Sequence, residues 1–572
     1  MRIGTDEHNF DAEYISKGFE CAYKQHRDCF KDVMSYLTDE SREQYKVCAI
    51  YGLRRTGKTT IMEQCIEMLP DKEKAVFITC NNTTNYWKIY DFIGESIDKG
   101  YKYIFIDEIT YSDGFQEAGE SLANVFVRHK NARIVITGTD SLGLALPTYN
   151  LQYDRTLMIH TSYIPFAEYS RITGIDSLDT YIEKGAVFEP DLLSDYYKTH
   201  RYVDTAISDN LINSLERSEG IDRYPAALSE IYEKYELKNA IERIINKYSQ
   251  DLTAKAIRKE FKAGIIGTEL TNIATSREKP DNIRVVLNYD KLNENIAEAL
   301  GIIKNSELSV RVTEEHKKAI YDFLKDMDVF VSLPVLKSYN DKESGRNLEM
   351  ITQPAIYHAN IKHSINALRD SDNWLENATD QQKTRLIKGS YNVAYGNIME
   401  NIIISDVYHT LSDGNDVQID DLFDSSSGRW YVSKLRQHIN GKDYEADLII
   451  YDKERKETYI FDVKHSSEYA PEQSLALEDN GFNKYIEKNF GKVAGKGILY
   501  NGVTLNEYDV PRISASRFLK VLYKEKKKEI ISFADVMDHV YDHDYKEAFD
   551  DKEQGIKPSA VNKNDGSPGL SL

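Results

Sequence analysis

Gly52-Leu53-Arg54-Arg55-Thr56-Gly57-Lys58-Thr59 fits the spacing G-x-x-x-x-G-K-[ST] in full, with Thr60 directly after it. Glycines at these two positions let backbone amides close around phosphate oxygens, a lysine after the second reaches the β- and γ-phosphates, and the Thr59 hydroxyl can ligate Mg2+. The chemistry this pattern serves is the binding of ATP with Mg2+ through Gly52 to Thr60. A second constellation is the apolar stretch Tyr103 to Ile106 ending in Asp107-Glu108. There Asp107 would hold Mg2+ and Glu108 would orient or deprotonate an attacking water. The plainer alternatives are a chance glycine turn and an acidic helix cap, and the strand and helix that flank the glycines favour the phosphate reading. The third constellation is Asp447, Asp462 and Lys464 in YEADLIIYDKERKETYIFDVKHS. Two carboxylates can hold a divalent metal against a phosphate while a lysine positions the attacking water. Its rival is a solvated hairpin face on which Lys and Asp merely pair.

These residues need elements to place them. The glycine motif lies between the strand-like Lys46 to Tyr51 and the helical segment TTIMEQCIEML. Strand-length apolar runs recur at Ala75 to Thr79, Tyr103 to Ile106, Arg133 to Thr137 and Thr156 to His160, with spacers long enough for helices. That alternation predicts a parallel α/β sheet covered on both faces. The expected order is an N-terminal helical cap (1–40), an ATPase core (41–165) and a helical lid or connector (166–301). A winged-helix-like module (302–384) follows, then a second α/β domain (385–530), then an acidic helix with a disordered tail (531–572). Around the polar turn Lys453 to Glu457, period two puts Glu445, Asp447 and Ile449 on one face. The same period puts Ile460, Asp462 and Lys464 on one face and turns Tyr459, Phe461 and Val463 to the core.

The chain has 572 residues, a prior of several domains, and a net charge of −20. That charge excludes a protein that coats nucleic acid or anionic membrane over its whole surface. Residues 431–530 depart from it, with 18 Lys and Arg against 16 Asp and Glu, so this part can approach nucleic acid. No apolar run is long enough to cross a membrane and the N-terminus has no leader pattern, so the expected location is the cytoplasm. The five cysteines, Cys21, Cys29, Cys48, Cys65 and Cys80, make no disulfide pattern and read as reduced, mostly buried thiols. His539 and His543, four apart, read as part of a solvated acidic helix in preference to a metal site. His26-Arg27-Asp28 lacks the remainder of a kinase signature.

GLRRTGKTT, IFIDE, ITGTDSLGL and YDRTLMIHTSYIPFAEYSRITG closely resemble prokaryotic AAA-type P-loop ATPases whose C-terminal region carries a restriction-endonuclease-like domain. The likeness continues through GNIMENIII and IFDVKHSSEYAPEQ, so its motifs span residues 50 to about 475. It implies that the strand ending at Gly138 lies between the other two site strands, with Thr139 or Asp140 as a sensor of the γ-phosphate. It also implies that Arg155 is an arginine finger working across a homo-oligomer, where the alternative is a surface ion pair. For the C-terminal part the resemblance implies a PD-(D/E)XK site of Asp447, Asp462 and Lys464. Glu400 would be a further metal-holding acid and Gln473 a helper. The function implied is an ATPase coupled to a nuclease-like domain acting on DNA. The alternative is a slow ATP-dependent switch whose C-terminal domain only binds a protein or nucleic-acid partner, and a third reading keeps the nuclease fold without cleavage.

Overall fold

The computed structural model describes residues 9–10, 23–39, 45, 47–81, 84–112, 115, 132–138, 156–161, 163–193, 195–212, 236–273, 285–302, 312–326, 329–336, 347–411, 429–439, 441–465, 474–505, 509–526, 532–542 and 545. The expected disordered tail, Cys21, Thr139, Asp140, Arg155, Gln473 and His543 lie outside them.

The first sheet contains Asn9–Phe10 (β1), Val47–Tyr51 (β2), Ala75–Thr79 (β3), Tyr103–Asp107 (β4), Arg133–Gly138 (β5) and Thr156–His160 (β6). Its order is β1-β3-β4-β5-β2-β6, with β3 to β6 and β2 all parallel and β1 added antiparallel on β3. The strands are Val-, Ile- and Phe-rich and buried on both sides: Val47 and Ala49 join one apolar cluster, Cys48 and Ile50 the other. The helices Phe30–Thr38 and Lys58–Met68 cover one face and Tyr86–Asp98, capped by Asn85 through the Trp87 amide, covers the other. β5 sits between β2 and β4, so the ends of the three strands that carry the site motifs are adjacent. Residues 1–40 contribute the Phe30–Thr38 helix and also the short strand β1. Cys48, Cys65 and Cys80 are buried free thiols and Cys29 is partly buried.

The segment after β6 is mainly helical, including Phe166–Thr173, Leu178–Lys184 and the long Leu237–Ile273, apart from Val286–Leu287 (β7) paired with Leu375–Glu376 (β10). Within the stretch expected to be a winged-helix-like module, residues 302–384, two strands take part in a larger sheet. Phe330–Leu336 (β8) and Asn347–Ile351 (β9) do form a hairpin, but β8 runs parallel beside Trp430–Ile439 (β11) and so extends the C-terminal sheet. That sheet runs β15-β14-β13-β12-β11-β8-β9, with Lys442–Asp452 (β12), Glu457–Lys464 (β13), Lys492–Tyr500 (β14) and Arg512–Ser514 (β15). The strands β11, β12 and β13 are antiparallel, while β13, β14 and β15 are parallel.

Two expectations about the β12–β13 hairpin are corrected. Opposite Lys434 the β11–β12 register slips by one residue, so Asp447 and Leu448 share one partner. Ile449 therefore packs with Tyr444 and Ala446 and leaves the face of Glu445 and Asp447. The alternative of a solvated hairpin face also does not hold for β13, which is buried along its length between its end residues. Phe461 and Val463 pack into the core that holds the Asp380–Leu411 helix, and Ile460 packs into the opposite core with Phe482 and Ile486 of the Asn480–Phe490 helix. One continuous apolar cluster runs from Leu53 within the glycine motif through Ile164, Phe166 and Tyr181 to Ile402, Phe461 and Phe518.

Candidate functional site

The chain arrives from β2 and turns sharply, with Gly52 at φ 140°, Arg55 at φ 67° and Gly57 at φ 90°, before the Lys58–Met68 helix begins. Gly57 occupies the N-cap without a side-chain acceptor for the first helical amides, the arrangement an anion completes. Lys58 is buried, and its ammonium donates to the carbonyls of Gly52 and Leu53, both at 2.9 Å. Burial lowers its pKa, opposed by the carboxylates of Glu108 and Asp107. Thr59 Oγ1 donates to Asp107 Oδ2 at 2.9 Å, and Thr137 Oγ1 donates to Asp107 Oδ1. The same Thr137 oxygen accepts from the Glu108 amide at 3.0 Å. Glu108 lies at φ 55°, a left-handed conformation that ends β4 sharply and starts the turn at Ile109. Burial, with the neighbouring Glu108, pushes the Asp107 carboxyl up to about 6. Thr59 and Asp107 supply hard oxygens from two adjoining elements, the donor set Mg2+ takes.

Lys58, Thr59, Asp107 and Glu108 are thus brought together at one end of the sheet, past β2 and β4. Two residues there escaped sequence reading. Thr137, inside β5 and ahead of the expected sensors Thr139 and Asp140, ties Asp107 to Glu108. Arg27, in the triplet set aside as a failed kinase motif, is buried beneath the loop. It donates to the Thr56 carbonyl at 2.7 Å, to Tyr163 O at 3.0 Å, to Thr161 O at 3.2 Å and to Glu168 Oε1 at 2.6 Å.

The second site is a cavity of about 1050 Å³ between the Leu237–Ile273 helix, the Asp380–Leu411 helix and the C-terminal sheet. Glu400, Asp447, Asp462 and Lys464 all line it, so the hairpin and the preceding helix do converge. Asp447 Oδ2 accepts from the Val463 amide at 2.9 Å and lies 3.5 Å from Lys464 Nζ. The centre of the cluster is Lys434 of β11, which the sequence did not single out. Its ammonium pairs with Glu400, with Glu445 at 2.8 Å and with Asp447 at 3.2 Å, and its side chain is only 6% exposed. Burial raises Glu400 to about 7, helped by Asp447 and opposed by Lys434. Burial and Asp447 likewise raise Asp462 to about 7. Burial pushes Asp447 the other way from its partners, yet Lys434 and Lys464 prevail and hold it below the usual carboxylate range. Among the described residues, no group of three His, Cys, Asp or Glu side chains is placed to hold a metal ion. The Lys434 ammonium stands among these acids.

The two sites are joined. Asp406 lies on the helix that carries Glu400 and accepts from the Phe166 amide at 2.8 Å and from the Tyr163 hydroxyl, both in the segment just after β6. Tyr163 also stacks on His409 with ring centroids 4.0 Å apart.

The AAA domain family matches residues 44–170. This part of the chain is an AAA-type P-loop ATPase domain. Among solved structures, a Walker-type ATPase of Pyrococcus abyssi is 15% identical, over 59% of this chain and 96% of its own, with a TM-score of 0.25. Hsp104 of S. cerevisiae, in an extended complex with casein, is 14% identical over 59% of this chain and 60% of its own, with a TM-score of 0.23. No curated protein matches by sequence. No described helix is long and apolar enough to cross a membrane.

Proposed function

We propose that the chain binds ATP with Mg2+ at Gly52 to Thr60, hydrolyses it with Glu108 as the base, and couples that cycle to the C-terminal cavity. The observation that carries this reading is the chain of hydrogen bonds Thr59–Asp107–Thr137–Glu108, which puts a hydroxyl, a carboxylate and a candidate base at one end of the sheet. Lys58 leaves the Gly52 and Leu53 carbonyls for the β- and γ-phosphates, and backbone amides of the turn take the phosphate oxygens. Mg2+, with Thr59 and Asp107 as its protein donors, would neutralise charge on the transferred group. Glu108 takes the proton of the attacking water. Thr139 or Asp140 as γ-phosphate sensor, and Arg155 as a finger from a neighbouring copy in a homo-oligomer, complete this reading.

For the C-terminal cavity the reading is a site of nuclease descent that acts on DNA in the cytoplasm, with Asp447, Asp462, Lys464 and Glu400 as its reacting groups. A second reading is favoured by Lys434: an ammonium already paired with Glu400, Glu445 and Asp447 suits a cavity that binds a nucleic-acid or protein partner without cutting it. The chain is then a slow ATP-dependent switch. Phosphate release from ATP, with and without single- and double-stranded DNA and with the DNA recovered for length, separates the two. DNA-stimulated turnover with shortened DNA supports the first reading, and intact DNA with slow turnover supports the second. Absence of ATP turnover and of ATP binding overturns both.

A further inference from the structure

The segment Ser177–Glu189 touches both sites. At its start, Ser177 caps the Leu178–Lys184 helix, and Asp179 stands in its first turn. Asp179 Oδ1 lies 2.8 Å from His465 Nε2, and its Oδ2 accepts from Asn501 Nδ2 at 2.8 Å. His465 follows Lys464 directly, and both His465 and Asn501 line the cavity. One turn later Glu183 accepts from the Tyr395 hydroxyl at 2.9 Å, and Tyr395 lies on the Glu400 helix with its ring 4.9 Å from that of His465.

The other end of the segment rests on the phosphate loop. The Phe188 amide donates to the Arg55 carbonyl at 3.0 Å, and the Phe188 carbonyl accepts from Tyr23 at 2.7 Å. The Phe188 ring lies 3.3 Å from where a Cβ on Gly57 would stand, and Glu189 pairs with Arg55. The stretch between the ends is tightly packed. Tyr181, Ile182 and Val187 are buried, Tyr181 donates to the Ile164 carbonyl at 2.6 Å, and a Cβ on Gly185 would meet the Tyr181 ring at 2.3 Å.

We propose that Ser177–Glu189 is a strap linking the nucleotide loop to the C-terminal cavity, with Asp179 as a positioning residue that holds the His465 ring there. The proposal rests on the reading of Gly52 to Thr60 as an ATP site. Phosphates that draw Lys58 and the loop amides must shift the Arg55 and Gly57 backbone, and Phe188 is hydrogen-bonded to one and packed on the other. A stiff, close-packed segment passes that shift to Asp179, because interfaces of this kind switch between discrete arrangements. Filling the cavity should in turn alter nucleotide affinity by the same factor.

The test is site-resolved labelling of His465 by diethyl pyrocarbonate in the full chain, read by mass spectrometry, with nucleotide binding measured in parallel. Asp179→Ala should speed His465 labelling without any nucleotide, because Nε2 loses its partner. In the wild type, MgATP should change the His465 labelling rate by about fivefold or more, the lower end of ordinary allosteric coupling. Phe188→Ala should keep nucleotide binding and lose that dependence, and Phe188→Leu serves where alanine impairs folding. An unchanged His465 rate in Asp179→Ala, or an unchanged rate in wild type with MgATP demonstrably bound, overturns the strap. No bound nucleotide at all refutes the ATP reading instead, and the Asp179→Ala comparison still decides whether Asp179 holds His465.

Discussion

Replacing Lys434 by methionine removes one charge and little volume from the centre of the C-terminal cavity. In the wild type that ammonium, 6% exposed, is shared by Glu400, Glu445 and Asp447. Breaking a buried charge pair by removing one partner costs about 3–5 kcal/mol, because the partner is left charged and dry. For a cooperative unit of ordinary domain size this is a fall of about 6–20 °C in melting temperature. The loss should depend on pH with a definite sign. Glu400, already raised to about 7 against the pull of Lys434, rises further once that pull is gone. A carboxyl with a raised folded-state pKa contributes stability below its unfolded value and loses it as pH rises through the folded value. The variant should therefore lag wild type already at about pH 5, where Asp447 has lost the cation that holds it low, and fall further behind at about pH 8. Calorimetric melts at the two pH values, with and without Mn2+, measure both effects. If the acids are a latent metal site, Mn2+ should restore much of the lost stability in Lys434→Met, and an added Asp447→Asn should erase that rescue. The nuclease reading further requires Mg2+ or Mn2+ to raise the wild-type melting temperature and Asp462→Asn to abolish the rise. A loss below about 1 kcal/mol that is the same at both pH values would refute the role given to Lys434.

Three further outcomes are expected. Thr137→Val strands Asp107 Oδ1 and the Glu108 amide, which should cost about 1–3 kcal/mol and lower kcat more than ATP affinity; steady-state kinetics and melts check this. Arg27→Met leaves Glu168 buried without its cation, with only the Asp28 amide still donating to it, so it should destabilise by about 3–5 kcal/mol in denaturant melts, while an exposed pair such as Lys99–Glu95 should yield under about 1 kcal/mol on truncation. Burial lifts Asp406 to about 7 although two donors favour its charged form, so its contribution to stability is lost as pH climbs from about 4 to about 7. Asp406→Asn should gain on wild type over that window by a few kcal/mol, and a difference independent of pH would contradict it.

The ATP site was legible because its geometry is contiguous: strand, glycine turn and helix follow one another in sequence, so spacing alone fixes where Lys58 and Thr59 stand. Asp107-Glu108 was equally local. Thr137 left no such mark because its hydroxyl acts from inside a strand, ahead of the strand-end positions Thr139 and Asp140 where a sensor is expected. Lys434 left no signal. It lies 34 positions from Glu400 and 13 from Asp447, and only the pairing of β11 with β12 brings them together. The slipped register that turns Ile449 away from Asp447 is likewise a property of two strands, and simple alternation along one cannot reveal it. The place of the β8–β9 hairpin in the C-terminal sheet was hidden for the same reason, since helix, helix and hairpin do not disclose which sheet the hairpin joins. Arg27 was discarded for lacking a kinase context, when a cation flanked by turn residues can equally be the bolt beneath a neighbouring loop.

The central claim, that this chain binds and hydrolyses ATP with Lys58 and Glu108 in separate roles, is tested most directly by comparing Lys58→Ala and Glu108→Gln with wild type. MgATP binding and phosphate release should be measured on the same preparations. The account predicts that Lys58→Ala loses binding and turnover together, whereas Glu108→Gln keeps binding and loses turnover by ~10² or more. Unchanged ATP affinity and hydrolysis in Lys58→Ala would contradict it, and equal loss of binding in Glu108→Gln would reduce Glu108 to a structural role.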